Sequence, residues 1–430
     1  MNIANSPYGA AALAALALAC QAGCKPQPQP REQTQAAALA AVAAPAETPA
    51  AKPLPDYADA LVWAWKFASA IPVDPHGEDR GKCQYQALKA YVDLGFEAEA
   101  ARQATEIMNW QRGVLYADLG AACARRDDAG KTLRHYLDLA RAWRDGLDPD
   151  EFNVAWHRDR ITGHMALALA KAGLFAEAEA MALGVEDPDL PQMAIEKFSK
   201  IDTAADYERA VKELDAMSKV PVFEMQEAAV QTWIRILKNQ GKTMAPARLT
   251  EILARVQDIV PRLPGARQCL VRCAVARALL DCGQHDPGLK LLEEAVAALK
   301  KGKLNAQFDV ANLAEVARTY DRAAALPDRA GEMLQQAAVL LKESGPALGR
   351  SDRHAATVAL AVGYAMHGDR DVAWGYFRAA LAEAQGQVNG RPRHMMLTEL
   401  CIAIGRCRYA LPAAFRTGLE QPWNRRGDPW

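Results

Sequence analysis

Side chains that could act as nucleophiles or metal ligands are scattered along this chain of 430 residues. The nine cysteines include no CxxC pair, and Cys269 and Cys273 share one helix face at a spacing that suits a disulfide poorly. The eight histidines are dispersed as well. His157 and His164 share a predicted helix face, but no third ligand follows at a metal-binding spacing. The sequence therefore predicts no catalytic residue, no cofactor and no metal site.

Motifs for nucleotide binding and hydrolysis are also missing from the sequence, which has no P-loop, no dinucleotide fingerprint and no GxSxG motif. The paired acids Asp127/Asp128 and Asp187/Asp189 fall in predicted turns, where capping explains them. With 51 basic and 52 acidic side chains the net charge is -1, which excludes a generally basic nucleic-acid binder. A hydrophobic fraction of 50% with 24% charged residues is typical of a globular chain rather than a disordered one. These observations favour a protein that is not an enzyme and does not bind nucleic acid.

The first residues resemble an export signal. Residues 10–19 read AAALAALALA, a run without charge that spans only about half a bilayer and is typical of a signal-peptide core. Cys20 and Cys24 follow it, and both resemble the lipobox of bacterial lipoproteins. That resemblance implies lipidation at one of these cysteines. It also implies a location in the cell envelope, at the outer membrane or in the periplasm of a Gram-negative-type bacterium, with membrane attachment through the N-terminal lipid. The alternative is a cytoplasmic adaptor with an uncleaved leader, because no lysine or arginine precedes Lys25.

Composition divides the chain into four segments. Residues 1–24 form the signal and lipobox region, and residues 25–56, rich in Pro, Ala and Gln, include seven prolines. Proline at that density prevents regular helix and predicts a disordered, extended tether. Residues 57–420 show helical periodicity throughout, and residues 421–430 form a C-terminal tail. In an exported protein Cys83 and Cys123, predicted on neighbouring helices, are a candidate disulfide pair.

A pair of alanine-rich amphipathic helices recurs along the helical segment, and residues 360–381 form its clearest copy. Gly368 and Asp369 supply the turn between the two helices. Alanines at the seam let the helix axes approach closely, and the rings of Tyr364 and Phe377 fill the space beside them. The seam positions are Leu360, Ala361, Tyr364, Ala373, Phe377 and Ala380.

This pattern resembles the tetratricopeptide repeat (TPR), whose period is 34 residues. Turns are predicted at Gly95, Gly173, Gly241, Gly283, Gly368 and Gly405, with less regular turns near Asp127, Ala205 and Ala324. The resemblance implies an all-α fold, namely an α-solenoid of about nine TPR-like helical hairpins in a right-handed superhelix. Residues 57–71 contain Trp63, Trp65 and Phe67 and are predicted to form a capping helix over the open end of the stack.

In the resembled family, set positions of the first helix in each hairpin line a concave groove. Carried onto this sequence, those positions hold eight basic residues against only Asp93 and Asp281. The predicted basic groove residues are Lys82, Lys89, Arg125, Arg160, Lys171, Arg235, Lys238 and Arg277. Asn239 is predicted to form a hydrogen bond with the backbone of a bound peptide.

A basic concave wall implies a protein partner, in the form of an extended acidic peptide or a C-terminal carboxylate. The sequence therefore predicts a non-catalytic scaffold for protein–protein interaction. The alternative from another class is a helical enzyme of cell-envelope metabolism or an accessory domain of one, and a pocket with clustered acids would favour it.

Overall fold

Helices are the only regular secondary structure in the part of the chain that the computed structural model describes, which is residues 53–124, 129–183, 185, 204–301, 306–322 and 326–424. The predicted all-α class is confirmed there. Cys20, Cys24 and most of the predicted tether lie outside these ranges. None of the described helices combines the length and the apolar character that crossing a bilayer requires.

The α-helices in chain order are α1 (Asp59–Ala70), α2 (Gly77–Asp93), α3 (Glu97–Ala104), α4 (Gln111–Cys123), α5 (Ala129–Asp145), α6 (Val154–Lys171), α7 (Phe175–Ala182), α8 (Ala204–Lys219), α9 (Phe223–Gln240), α10 (Pro246–Ile259), α11 (Gly265–Asp281), α12 (His285–Lys301), α13 (Ala306–Arg322), α14 (Pro327–Ser344), α15 (Arg350–His367), α16 (Arg370–Gln385), α17 (Gly390–Arg406) and α18 (Ala413–Asn424).

Neighbouring helices pack in pairs across short connections, most extensively α4 with α5, α11 with α12, α13 with α14, and α15 with α16. The first helices of these pairs also pack on one another in two series, α2 to α4 to α6 and α9 to α11 to α13 to α15 to α17. A helix in either series thus buries one face against its own pair and another against the neighbouring pair. In the copy that the sequence identified most clearly, Phe377 of α16 is fully buried.

Glycine turns account for several of these connections. Gly95, Gly173, Gly283 and Gly368 have φ between 79° and 101°, a left-handed conformation that favours glycine at the end of a helix. These four predicted turns are confirmed. Gly241 follows α9 with an ordinary helical φ of -57°. Ala205 lies inside α8, whereas Asp127 and Ala324 fall outside the described residues.

Gly405 lies in the last turn of α17, and the predicted turn follows it at Cys407 and Arg408. A Cβ atom placed on Gly405 would lie 2.7 Å from Cδ2 of Leu61, in α1. Real Cβ contacts are longer than that, so a larger residue would push the two helices apart. Gly405 therefore serves the close packing of a helix near the start of the chain against one near its end.

Helix α1 packs on both α2 and α17, and we refer to the contacts of α1 and α2 with α17 and α18 as the end junction. The sequence predicted that α1 caps an open end of the stack, but the structure places it between helices from the two ends of the helical segment. A helix with an apolar surface this broad needs more than one packing partner, and Lys66 on the remaining side is exposed. The buried residues of α1 are Ala60, Leu61, Trp63, Ala64, Trp65, Phe67 and Ala68.

Aromatic rings form the centre of the end junction. The Phe67 ring lies 5.7 Å from the His394 ring and 6.1 Å from the Trp423 ring, and both contacts are edge-to-face. Trp63 meets Trp423 edge-to-face at 6.3 Å. Because aromatic side chains bury large apolar areas and prefer this geometry, the cluster supplies much of the cohesion between the two ends.

Three ion pairs surround this aromatic cluster, and each joins an acid of the first two helices to an arginine of the last two. All six side chains are at least 30% exposed, so each pair contributes about 0–1 kcal/mol and orients the helices more than it stabilises them. The pairs are Asp59 with Arg416 at 2.7 Å, Asp79 with Arg391 at 2.9 Å, and Asp93 with Arg406 at 3.1 Å.

Cys83 and Cys123, the candidate disulfide pair, are both buried and are not joined to each other. Cys83 packs with Ala68 and Ile71 in an apolar cluster that Met395 of α17 completes. Burial raises the pKa of the Cys83 thiol to about 12, so the reactive thiolate is scarce at neutral pH. Cys83 thus acts as a small apolar residue of the end junction.

Candidate binding site at the end junction

A cavity of about 610 Å³ opens between α2 and α17 at the end junction, and we call it the junction cavity. This volume lies within the range of small-molecule and peptide side-chain pockets, about 300–1,000 Å³. Ser351 of α15 reaches it at one side. The lining residues that define its chemistry are Lys82, Tyr85 and Lys89 of α2 with Met395, Glu399, Ile402 and Arg406 of α17.

Three cations and one carboxylate give the junction cavity its charge. Lys82 is exposed and forms no ion pair with another residue of the described ranges. Lys89 and Arg406 both bind Asp93, which therefore holds the two cations beside each other at one end of the cavity. Met395 and Ile402 provide an apolar surface next to these charges. Cationic and apolar groups in one cavity suit a ligand with a carboxylate and an apolar portion.

Glu399 is the carboxylate of the junction cavity. Its side chain is exposed to solvent, but the protein around it excludes enough water that desolvation raises the pKa of this carboxyl above its ordinary value. A raised pKa means that Glu399 takes up a proton at a higher pH than a free glutamate does. Protonation of Glu399 makes the cavity more positive, which favours an anionic ligand.

A buried polar network extends from the junction cavity across three successive first helices. The hydroxyl of Tyr85 in α2 donates to Oδ2 of Asp118 in α4 at 2.8 Å. Nδ1 of His164 in α6 lies 3.1 Å from Oδ1 of the same aspartate. Asp118 and His164 are both buried, so the network fixes the register of α2, α4 and α6 relative to one another.

The Asp118 carboxylate is stabilised in its charged form. Burial by itself would raise the pKa of Asp118, but the attraction of His164, the hydrogen bond with His164, the charge of Lys89 and the hydrogen bond from Tyr85 together outweigh it. The pKa of Asp118 is consequently below its ordinary value.

The predicted groove residues all lie on the first helices of their pairs, except that Arg125 is outside the described residues. The structure brings only Lys82 and Lys89 of this set into the junction cavity. Arg235, Lys238 and Asn239 are exposed on α9. Arg160 and Lys171 lie on α6, with the Arg160 guanidinium 5.8 Å from the centre of the Trp156 ring.

The neighbouring helix partly neutralises the predicted basic wall. The Arg277 guanidinium of α11 lies 2.5 Å from Oε1 of Glu315 in α13, and Arg318 binds the same carboxylate. The predicted groove positions included residues of α11 but none of α13, so Glu315 was not among the acidic residues counted in the predicted groove. Asp281 lies at the end of α11 and is exposed.

Sequence reasoning missed the residues of α17 that complete the cavity, Glu399 and Arg406 among them, because the groove positions were carried only onto residues 82–281 and the contact of α17 with α2 joins distant parts of the chain. It also missed Asp118. The signal for Asp118 was present in the sequence VLYADLGAAC, where one carboxylate interrupts an otherwise apolar helix. A buried acid in such a helix needs a partner and is therefore informative.

Comparison of the chain with protein-family models, with curated proteins and with solved structures finds no match. The repeat interpretation and the candidate site consequently depend on the residues and the geometry described above.

Proposed function

We propose that this chain is a non-catalytic scaffold that binds a protein partner through the inner surface of a TPR-like α-solenoid of about nine hairpins. The two series of packed first helices support stacked repeats, since solenoids bury their repeats against nearest neighbours. The end junction adds a contact between the first and the last helices, so the proposed stack is closed at its ends. The proposed superhelix is right-handed, as the resemblance to the TPR family implies.

The proposed ligand is an extended acidic peptide or a C-terminal carboxylate, and the junction cavity is its anchoring site. The single observation that carries this proposal is the arrangement of Lys82, Lys89 and Arg406 around an apolar floor. Arginine and lysine attract carboxylates, and arginine adds bidentate geometry. The apolar floor accepts the side chain that precedes the carboxylate. The remaining exposed cations, Arg235 and Lys238 on α9, extend the basic surface away from the cavity.

Charge reversal at Lys82 tests the proposed function. We expect Lys82→Glu to weaken the binding of fluorescein-labelled acidic peptides about tenfold, which corresponds to roughly 1.4 kcal/mol. Fluorescence anisotropy with peptides that carry free or amidated C-termini measures this effect and tells the two ligand types apart. The wild-type affinity should also fall as salt rises, because the attraction is screened.

The matched control for this experiment is Lys290→Glu, the same change at an exposed position of α12. It should leave the affinity unchanged. Equal affinities for the wild type and Lys82→Glu at low salt would remove the junction cavity from the proposal. Arg277 is a less suitable target, because its reversal would also break the ion pair with Glu315.

The scaffold is further proposed to be exported and held at a membrane by lipid on Cys20 or Cys24, with residues 25–56 as the tether. A single acyl chain anchors weakly, whereas two or more hold a protein firmly. We expect the wild type to sediment with membranes and the double variant Cys20→Ser, Cys24→Ser to appear in the soluble fraction. Soluble wild-type protein would favour the cytoplasmic adaptor instead.

A further inference from the structure

We propose that Glu78, Glu151 and His157 form a binding site for a divalent metal ion of the Zn²⁺ type. Each of the three side chains offers a ligand atom, and these atoms all lie within 4.8 Å of one another. They come from three separate places in the chain: the first turn of α2, the connection between α5 and α6, and the first turn of α6. The proposal is independent of the junction cavity and of the peptide-binding function.

His157 gives the first argument for a ligand at this site. Its side chain is buried, with a residue exposure of 7%, and its Nδ1 atom has no hydrogen-bond partner in the described part of the chain. Nδ1 lies 3.3 Å from Oε1 of Glu151, without the alignment of a hydrogen bond. A buried imidazole nitrogen that lacks a partner is costly.

The distance between these two atoms suits a shared metal ion. Ligand atoms bonded to tetrahedral Zn²⁺ at 2.0–2.1 Å lie about 3.3 Å from one another. The separation of Nδ1 of His157 from Oε1 of Glu151 has this value. Glu78 lies within 4.8 Å of both groups and is exposed, so a small rotation of its side chain completes a set of three ligands.

The charge around the cluster gives a second argument. Neither Glu78 nor Glu151 forms an ion pair with a lysine or arginine of the described residues, and yet the two carboxylates lie close together. Two carboxylates at this separation repel each other when both are ionised. A divalent cation between them removes the repulsion and binds the imidazole nitrogen at the same time.

Trp110 holds two of the proposed ligands in place. Its ring stacks on the His157 ring, with the centroids 5.1 Å apart and the planes 13° from parallel. Its indole N–H donates to Oε2 of Glu78 at 3.2 Å. Groups that contact the ligands rather than the metal orient those ligands and raise the affinity of the site for the metal. One imidazole and two carboxylates match Zn²⁺ better than Mg²⁺, which prefers oxygen ligands alone in octahedral geometry.

The bound ion would connect the start of α2 to the start of α6, with Trp110 at the start of α4 between them. Glu78 precedes Tyr85 by about two turns of α2, and His157 precedes His164 by about two turns of α6. The ion would therefore add a second link among the helices that Asp118 already joins.

Titration of the full chain with Zn²⁺ tests this proposal. After removal of metal with a chelator, we expect the wild type to bind one Zn²⁺ at this site, as measured by competition with a chromophoric chelator. Glu78→Gln and Glu151→Gln should each weaken that binding at least tenfold. Both positions retain solvent access, and unchanged thermal melts without metal would show that the variants fold.

Two controls make the result decisive. Glu106→Gln removes one exposed negative charge just after the end of α3 and should leave the affinity for Zn²⁺ unchanged. Co²⁺ in place of Zn²⁺ should give visible absorption without the near-ultraviolet band of a thiolate ligand, which excludes the cysteines as the site. Equal Zn²⁺ affinity in the wild type, Glu78→Gln and Glu151→Gln would overturn the proposal, as would a thiolate band or the absence of Zn²⁺ binding to the wild type.

Discussion

Replacement of Phe67 by alanine is expected to lower the free energy of unfolding by about 3–5 kcal/mol. Phe67 is fully buried and contacts the rings of His394 and Trp423, so the variant loses apolar burial and leaves a cavity at the end junction. Because helices open locally, such a loss acts first on the helices that contact the residue. Hydrogen exchange should therefore speed up in α1 and α17 more than in α11 and α12.

The control for this variant is Phe152→Ala, the same substitution at a side chain that is 84% exposed. Its effect on stability should stay within about 0.5 kcal/mol, as is usual for surface changes. Chemical denaturation measures both values. A loss below about 1 kcal/mol for Phe67→Ala, or hydrogen exchange that speeds up equally in all helices, would contradict the packing of the end junction.

Replacement of Asp118 by asparagine is expected to cost about 1–3 kcal/mol at pH 7, because it alters the buried partner of Tyr85 and His164. The folded-state pKa of Asp118 is below its ordinary value. The stability from its charge is therefore fully present above the unfolded-state pKa of about 3.9 and is lost as the pH falls through the folded-state pKa. The difference in stability between the wild type and the variant should shrink below about pH 4.

Denaturation of both proteins across pH 3–7 measures this difference, with Asp138→Asn as the control. Asp138 is exposed on α5, and within the described residues its ion pair is with Arg141, three residues along the same helix. Its replacement should change stability by less than about 0.5 kcal/mol at every pH. A difference for Asp118→Asn that is absent, or that grows as the solution becomes more acidic, would contradict the assigned role of the carboxylate.

Local features of the sequence were sufficient to predict the helical class and several turns. Helix periodicity depends on residues three and four apart, and the left-handed turns at Gly95, Gly173, Gly283 and Gly368 depend on glycine itself. Both signals are contained within a short stretch of sequence. For the same reason the pairing of neighbouring helices across short connections was predictable.

The end junction was not predictable from such signals, because its contacts join residues more than 300 positions apart, such as Asp79 and Arg391. Gly405 illustrates why such contacts are hard to predict. A glycine near the end of a helical pattern predicts a turn, but its close contact with α1 depends on the position of Leu61, far away in the sequence. One clue was available in α1, whose broad apolar surface, interrupted on one side by Asp59 and Lys66, required more than one packing partner.

Part of the candidate site followed from the sequence and part did not. Lys82 and Lys89 were predicted from their positions on the first helix of a hairpin, and both line the junction cavity. The opposite wall of the cavity is formed by α17. A prediction based on contacts between neighbouring hairpins does not bring α17 against α2. The cavity is thus a consequence of the end junction rather than of any single repeat.

Zero-length crosslinking between α2 and α17 tests the end junction most directly. The variant Arg391→Lys places an amine where the arginine binds Asp79 at 2.9 Å, and a carbodiimide joins an amine to a carboxylate only when the two are in contact. We predict a crosslink between residues 79 and 391 within single chains, identified by peptide mass spectrometry, alongside the local crosslink between Lys89 and Asp93 that serves as the internal standard. Formation of the local crosslink without any link between residues 79 and 391 would contradict the joining of the two ends, and with it the junction cavity.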